Sequence, residues 1–185
     1  GWNVWLVVLG LPFTFILGLS SSALPAEMML AGRLGGTLVA AGLLAMTADV
    51  WTRRWAVRDR WLWGVALACL ALKATAQMAG SLLPTLWIGA SHGLRILYLH
   101  LMLLGFLSLT LVAGARTQRW GLRRRGVALF CGAVVATLVT LVPLTTWVPG
   151  GRSAHEVAAW MALAPAVAAT WLVGRRAVPV IPRFE

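Results

Sequence analysis

Negative charge is scarce in this chain: five Asp and Glu stand against sixteen Lys and Arg in 185 residues, a formal net charge of +11. No two of those acids share an apolar run, which excludes the paired-carboxylate chemistry of general acid–base hydrolysis. Cysteine is nearly absent. Cys69 and Cys131 fall in separate apolar runs, so no disulfide framework is expected and both read as small hydrophobes. There is no Gly-rich phosphate loop between a strand and a helix, no Ser, His and Asp set at matching depth, and no His-x-x-x-His or Cys-x-x-Cys-His element. Strand alternation, low-complexity tracts and internal repeats are missing too.

What the chain has instead is apolar length. Hydrophobic residues make up 60% of it and charged residues 11%, against an apolar share of about 45–50% in soluble domains. Six apolar runs of roughly 20 residues can be laid along it, each able to cross about 30 Å of hydrocarbon. The expected fold is all-α: a polytopic membrane protein, a bundle of six transmembrane helices in one domain over residues 1–176. The spans are expected at about 2–19, 29–51, 61–83, 94–115, 126–147 and 154–174, with a cytoplasmic tail at 177–185. Pro84 stops the third span, and Ser91, His92 and Gly93 interrupt the long run before the fourth. Pro143 and Pro165 predict kinks in spans five and six. Gly32 and Gly36, four apart in span two, predict close helix packing.

The basic residues record orientation. Arg53, Arg54, Arg58 and Arg60 lie between spans two and three, Arg116, Arg119, Arg123, Arg124 and Arg125 between four and five, and Arg175, Arg176 and Arg183 after six. Six crossings put all three clusters on one side, opposite Arg33, Arg95 and Arg152, so both termini are predicted to be cytoplasmic in a multi-pass protein of the inner membrane. Trp51, Trp55, Trp61, Trp63, Trp120 and Trp171 gather near the same interface, with Trp87 and Trp147 near the other. Basic charge sorted in this way marks topology and membrane lipid contact; nucleic acid is not an expected partner.

Polar groups inside the spans are costly and carry the functional information. Cys69, Lys73, Gln77 and Ser81 are spaced four apart and share one face of span three. Lys73, the only lysine, lies about 15 Å from the outer edge by helix rise. No acid lies at its depth. It is therefore a neutral amine, or it meets a bound anionic group or another subunit, or it reaches a polar pocket or backbone carbonyl. Of the histidines, His92 is at the outer mouth of span four, His100 about 10 Å below the outer edge, and His155 at the start of span six beside Glu156. His92 and His100 are about 12 Å apart along one helix, too far to share a metal ion. His100 is a candidate ligand for haem b or copper, with Gln77 at similar depth and His155 as the best remaining imidazole. Arg33, Arg95 or Arg152 could meet haem propionates at the outer rim. The alternative for His100 is an interhelical hydrogen bond.

The stretch Tyr98-Leu99-His100-Leu101-Met102-Leu103-Leu104-Gly105, with its small and apolar continuation to Ala115, resembles the Leu-His-x-Leu-x-x-Gly segment in the later helices of NnrS-type proteins. Val178-Pro179-Val180-Ile181-Pro182-Arg183 is similar to the tail after their last helix. The resemblance implies a polytopic haem- and copper-containing membrane protein linked to nitric oxide metabolism, with His100 as the ligand that carries over. The family's Gly-His-Thr-Gly-Arg element has no counterpart where Ala113-Gly114-Ala115-Arg116-Thr117-Gln118 stands, and its early His-Ala-His-Glu motif is absent. Two functions of different class follow. One is a redox-linked protein in which His100 binds haem or copper while Lys73, Gln77 and an outer Arg hold the acidic groups. The other is a non-catalytic accessory or scaffold subunit of a larger respiratory or photosynthetic membrane complex, meeting neighbouring subunits, pigments or lipids.

Overall fold

The computed structural model describes residues 1–14, 25–52, 60–83, 92–118, 121–145 and 152–172. Among them all regular structure is helical: α1 (Trp2–Thr14), α2 (Ala26–Thr52), α3 (Arg60–Leu82), α4, α5 (Arg124–Leu141), α6 (Arg152–Met161) and α7 (Ala164–Leu172). Helix α4 runs through three consecutive segments, His92–His100, a π-helical Leu101–Ser108 and Leu109–Thr117. Gly121, with φ of 47°, takes a left-handed backbone in the turn that leads from α4 to α5.

Four helices are long and apolar enough to cross a membrane: Ala26–Thr52, Arg60–Leu82, Leu94–Thr117 and Arg124–Leu144. They match the second to fifth expected spans. Helix α1 has 13 residues, about 20 Å of rise, and the rest of the first expected span, 15–19, lies outside the described residues. The last expected span is two pieces, α6 of 10 residues and α7 of 9, joined by a turn at Ala162 and Leu163. The tail at 177–185 also lies outside the described residues.

The two prolines expected to kink spans five and six act at helix ends. Pro143 lies in a short 3-10 turn, Val142–Leu144, that finishes α5, so the proline ends that helix where the sequence predicted a bend. Pro165 is in the first turn of α7, just after the break, where its missing N–H costs least. A continuous helix would have had the 165 N–H donate to the Met161 carbonyl. That carbonyl accepts instead from the fully buried Thr137 hydroxyl of α5 at 2.8 Å, a proton shared with the Ala133 carbonyl at 2.9 Å. A side chain on α5 thus ties down the break.

From α1 to α5 each helix packs on its neighbour in the chain, α1 on α2, α2 on α3, α3 on α4 and α4 on α5, whereas α5 packs mainly on α7, past α6. Small residues set the spacing, as dispersion-driven packing in lipid requires. A methyl added at Gly10 would lie 2.6 Å from the Gly35 carbonyl oxygen, and one at Gly42 would lie 2.8 Å from Val7. Gly35 and Gly42, seven apart, therefore receive α1. Gly32 and Gly36, the predicted pair, are buried as well. One core cluster joins Leu62 and Ala66 of α3, Leu109 of α4, Val127 and Val134 of α5 and Ala168 of α7. At its middle α4 crosses α3 so closely that a Gly105 methyl would sit 2.7 Å from Cys69 Sγ. Threonines inside the helices return their hydroxyl protons to their own backbone, Thr37 to the Arg33 carbonyl, Thr47 to Leu43 and Thr75 to Ala71. Large apolar side chains face outward on every helix, Trp5, Leu34, Leu72, Leu111, Val139 and Trp171 among them, as expected where the surroundings are hydrocarbon.

Candidate functional site at the junction of α2, α3 and α4

The polar face predicted on α3 is buried. Lys73 and Gln77 are each 8% exposed, and Ser81 is 1% exposed. Four-residue spacing stacks the three side chains one turn above another. The Lys73 amine donates to Gln77 Oε1, the Tyr98 hydroxyl of α4 donates to the same oxygen at 2.9 Å, and Gln77 Nε2 donates to the Gly36 carbonyl of α2 at 3.2 Å. Ser81 donates to the Gln77 backbone carbonyl at 2.9 Å.

These contacts fix the amide's orientation without ambiguity. A carbonyl only accepts, so the nitrogen of Gln77 faces Gly36 and the oxygen faces Lys73 and Tyr98. Both lone pairs of Oε1 are thereby used. Gly36 can be approached because it has no side chain, and α2 comes close enough for its backbone to serve as the acceptor. Lys73 Nζ also lies 5.1 Å from the centre of the Tyr98 ring, inside the range for a cation over an aromatic face. The amine therefore meets a carbonyl oxygen and a ring within its own chain. No acidic side chain joins it among the described residues. The cluster binds three helices at one level and is a clamp.

Tyr98 is the member that sequence reasoning missed as a partner. Its hydroxyl meets the Gln77 oxygen, the atom considered for a site shared with His100. Tyr98 and His100 differ by only about 3 Å in depth but by about 160° around the helix, and depth alone does not separate them. His100 is half-buried, and its Nδ1 lies 2.8 Å from the Ile96 carbonyl one turn before it. Since that oxygen only accepts, Nδ1 carries the proton, and Nε2 is the nitrogen left to face another partner. His100 immediately precedes the π-helical segment, a rare conformation within helices that is frequent at functional sites.

The remaining candidates lie toward the surface. Arg33 is half-buried on α2, Arg95 is exposed near the start of α4, and His155 and Glu156 are exposed on α6. The side chains of His92 and Arg152 lie outside the described residues. No group of three or more His, Cys, Asp or Glu is gathered for a metal among the described residues. Cys69 and Cys131 are buried free thiols in the core cluster.

Fold and site together define an all-helical membrane protein with a polar clamp inside its helix bundle. No protein-family model, curated protein or solved structure matches the chain.

Proposed function

We propose that this chain is a multi-pass protein of the cytoplasmic (inner) membrane that serves as a non-catalytic accessory or scaffold subunit of a larger respiratory or photosynthetic complex. In this reading it crosses six times with both termini cytoplasmic. Helix α1 with the residues after it makes the first crossing, and α6 with α7 the last. The observation that carries the proposal is the closure of the Lys73–Gln77–Tyr98–Gly36 network. The most polar intramembrane groups are spent on holding α2, α3 and α4 together, while the apolar and aromatic side chains point outward, available to neighbouring subunits, pigments or lipids. The test is the size of the assembly. Tagged full-length chain extracted from its own membranes in a mild detergent is expected to migrate in a stable complex well above 19.9 kDa, with defined other subunits at fixed stoichiometry. A chain that is monomeric at every detergent concentration would reject it.

A second reading, haem b or copper bound through His100 as in the NnrS-type proteins, is favoured by one observation. The Nδ1 proton of His100 is held by a backbone carbonyl, which leaves Nε2 as a ligating nitrogen. Lys73, Gln77, Arg33 and Arg95 would then receive acidic groups of the cofactor, and His155 would be the second imidazole. A Soret band, or bound copper, lost in His100→Ala would support this reading.

A further inference from the structure

Helix register around Gln77 fixes which cations share its level. Gly36 and Tyr98 both meet Gln77. Farther down, a methyl on Gly64 would touch the Trp51 ring at 3.6 Å, and Gly105 abuts Cys69. Falling numbers on α2 and α4 thus match rising numbers on α3, and both helices run antiparallel to it. One turn from Gly36 toward the start of α2 stands Arg33. One turn from Tyr98 toward the start of α4 stands Arg95. Each lies about 4.5 Å farther along its helix and about 60° around it, at the level of Gly80 and Ser81. Lys73 is buried below them, Arg33 is half-buried and Arg95 exposed.

Two arginines from two helices, Arg33 and Arg95, therefore stand at one end of the junction, with Lys73 one turn from Gln77 in the other direction. Among the described residues none has an acidic partner, and the acid of α2 nearest to Arg33, Glu27, is six residues, or about 9 Å, farther out. Apolar surface adjoins them. Leu30 and Leu34 flank Arg33 and are 57% and 59% exposed, and Leu99, one turn after Arg95, is 56% exposed. Cations at a helix end beside outward leucines offer both halves of an amphipathic ligand what each needs: charge for a phosphate and apolar surface for acyl chains.

We propose that this end of the α2–α3–α4 junction binds an anionic phospholipid. Its phosphate is held by Arg33 and Arg95, and its acyl chains lie along Leu34 and Leu99. Arginine suits this role because its planar fork binds phosphate oxygens two at a time. The proposal rests only on α2, α3 and α4 being in a membrane, and it holds whichever leaflet this end meets.

The experiment is native mass spectrometry of the full chain after reconstitution with phosphatidylglycerol or phosphatidylcholine and stepwise delipidation. The wild type is expected to retain one phosphatidylglycerol with about tenfold preference over phosphatidylcholine. Arg33→Gln/Arg95→Gln should lower that retention about tenfold or more, with helix content by circular dichroism unchanged. Arg124→Gln/Arg125→Gln, which removes two exposed charges at the start of α5, should leave it intact. Equal retention of the two lipids, or retention unaltered by Arg33→Gln/Arg95→Gln, overturns the proposal. Displacement of the lipid by millimolar inorganic phosphate would show a soluble oxyanion site and would overturn it as well. Alkaline carbonate extraction run in parallel separates the failures: chain that stays in the membrane pellet keeps the spanning reading while the lipid site falls.

Discussion

Replacing Gln77 with leucine keeps the side-chain volume close to the original and removes the hub of the clamp. Three hydrogen bonds go with it, those to Lys73, Tyr98 and the Gly36 carbonyl, and two of them join different helices. Interhelical hydrogen bonds in membrane proteins average about 0.6 kcal/mol and reach about 1.7, so the two contribute about 1–3 kcal/mol. Stranding the buried Lys73 amine adds about 1–3 kcal/mol, the cost of an unsatisfied buried donor. Gln77→Leu should therefore destabilise the chain by about 2–6 kcal/mol. The second part of the prediction is sharper. Because part of the cost comes from an orphaned amine, Lys73→Met/Gln77→Leu should be more stable than Gln77→Leu alone by at least about 1 kcal/mol, a strongly non-additive cycle. Reversible unfolding in mixed micelles, followed by tryptophan fluorescence as the denaturing detergent fraction rises, measures all four corners. Additive values, or a Gln77→Leu change within about 0.5 kcal/mol of zero, would refute the clamp.

Three further substitutions follow from the same packing. Gly10→Val should separate α1 from α2, because even the first carbon would fall 2.6 Å from the Gly35 carbonyl; a loss of about 1–3 kcal/mol is expected in the same unfolding assay, and a smaller loss would mean that the helices are not in contact there. Gly105→Ala should cost about 1–3 kcal/mol. Cys69→Ala should rescue it only in part, since Cys69 Cβ itself lies 2.8 Å from the added methyl, and full rescue would place the obstruction at sulfur alone. Thr137→Val should cost about 1 kcal/mol through the Met161 carbonyl. In a Pro165→Ala background, where a backbone N–H can replace the hydroxyl, the cost should shrink; an unchanged cost would show that the bond does not compensate for the proline.

The long helices are readable from hydrophobic length and arginine spacing because a bilayer imposes both. α2 at Ala26–Thr52 and α3 at Arg60–Leu82 fall within a few residues of the expected spans, and α4 begins at His92, within the expected Ser91-His92-Gly93 break and two residues before the expected span. The polar face of α3 is readable for the same reason: period and cost together put Lys73, Gln77 and Ser81 inside. Its partners are not readable. Depth arithmetic places Tyr98 and His100 almost level with Gln77, and only the rotation of α4 decides that the phenol faces α3. Gly36 acts through its carbonyl, which every residue has, so its residue type announces close packing but no hydrogen bond. The π-helical Leu101–Ser108 leaves no trace in the text Leu-Met-Leu-Leu-Gly-Phe-Leu-Ser, because nothing in those side chains separates a five-residue from a four-residue backbone bond. The division of the last run into α6 and α7 is announced by Pro165 alone, and what stabilises the break, the Thr137 hydroxyl, comes from another helix.

Topology is the most direct test of the membrane architecture on which the function rests. Reporter fusions that are active on only one side of the membrane, placed in the segments 53–59, 84–91, 119–123 and 146–151 and after Glu185, read the third to sixth crossings. Six crossings with cytoplasmic ends require the fusions at 53–59, at 119–123 and after Glu185 to report the cytoplasm, and those at 84–91 and 146–151 to report the opposite side. A fusion after Glu185 that reports the opposite side, or one at 53–59 that agrees with 84–91, would contradict that arrangement.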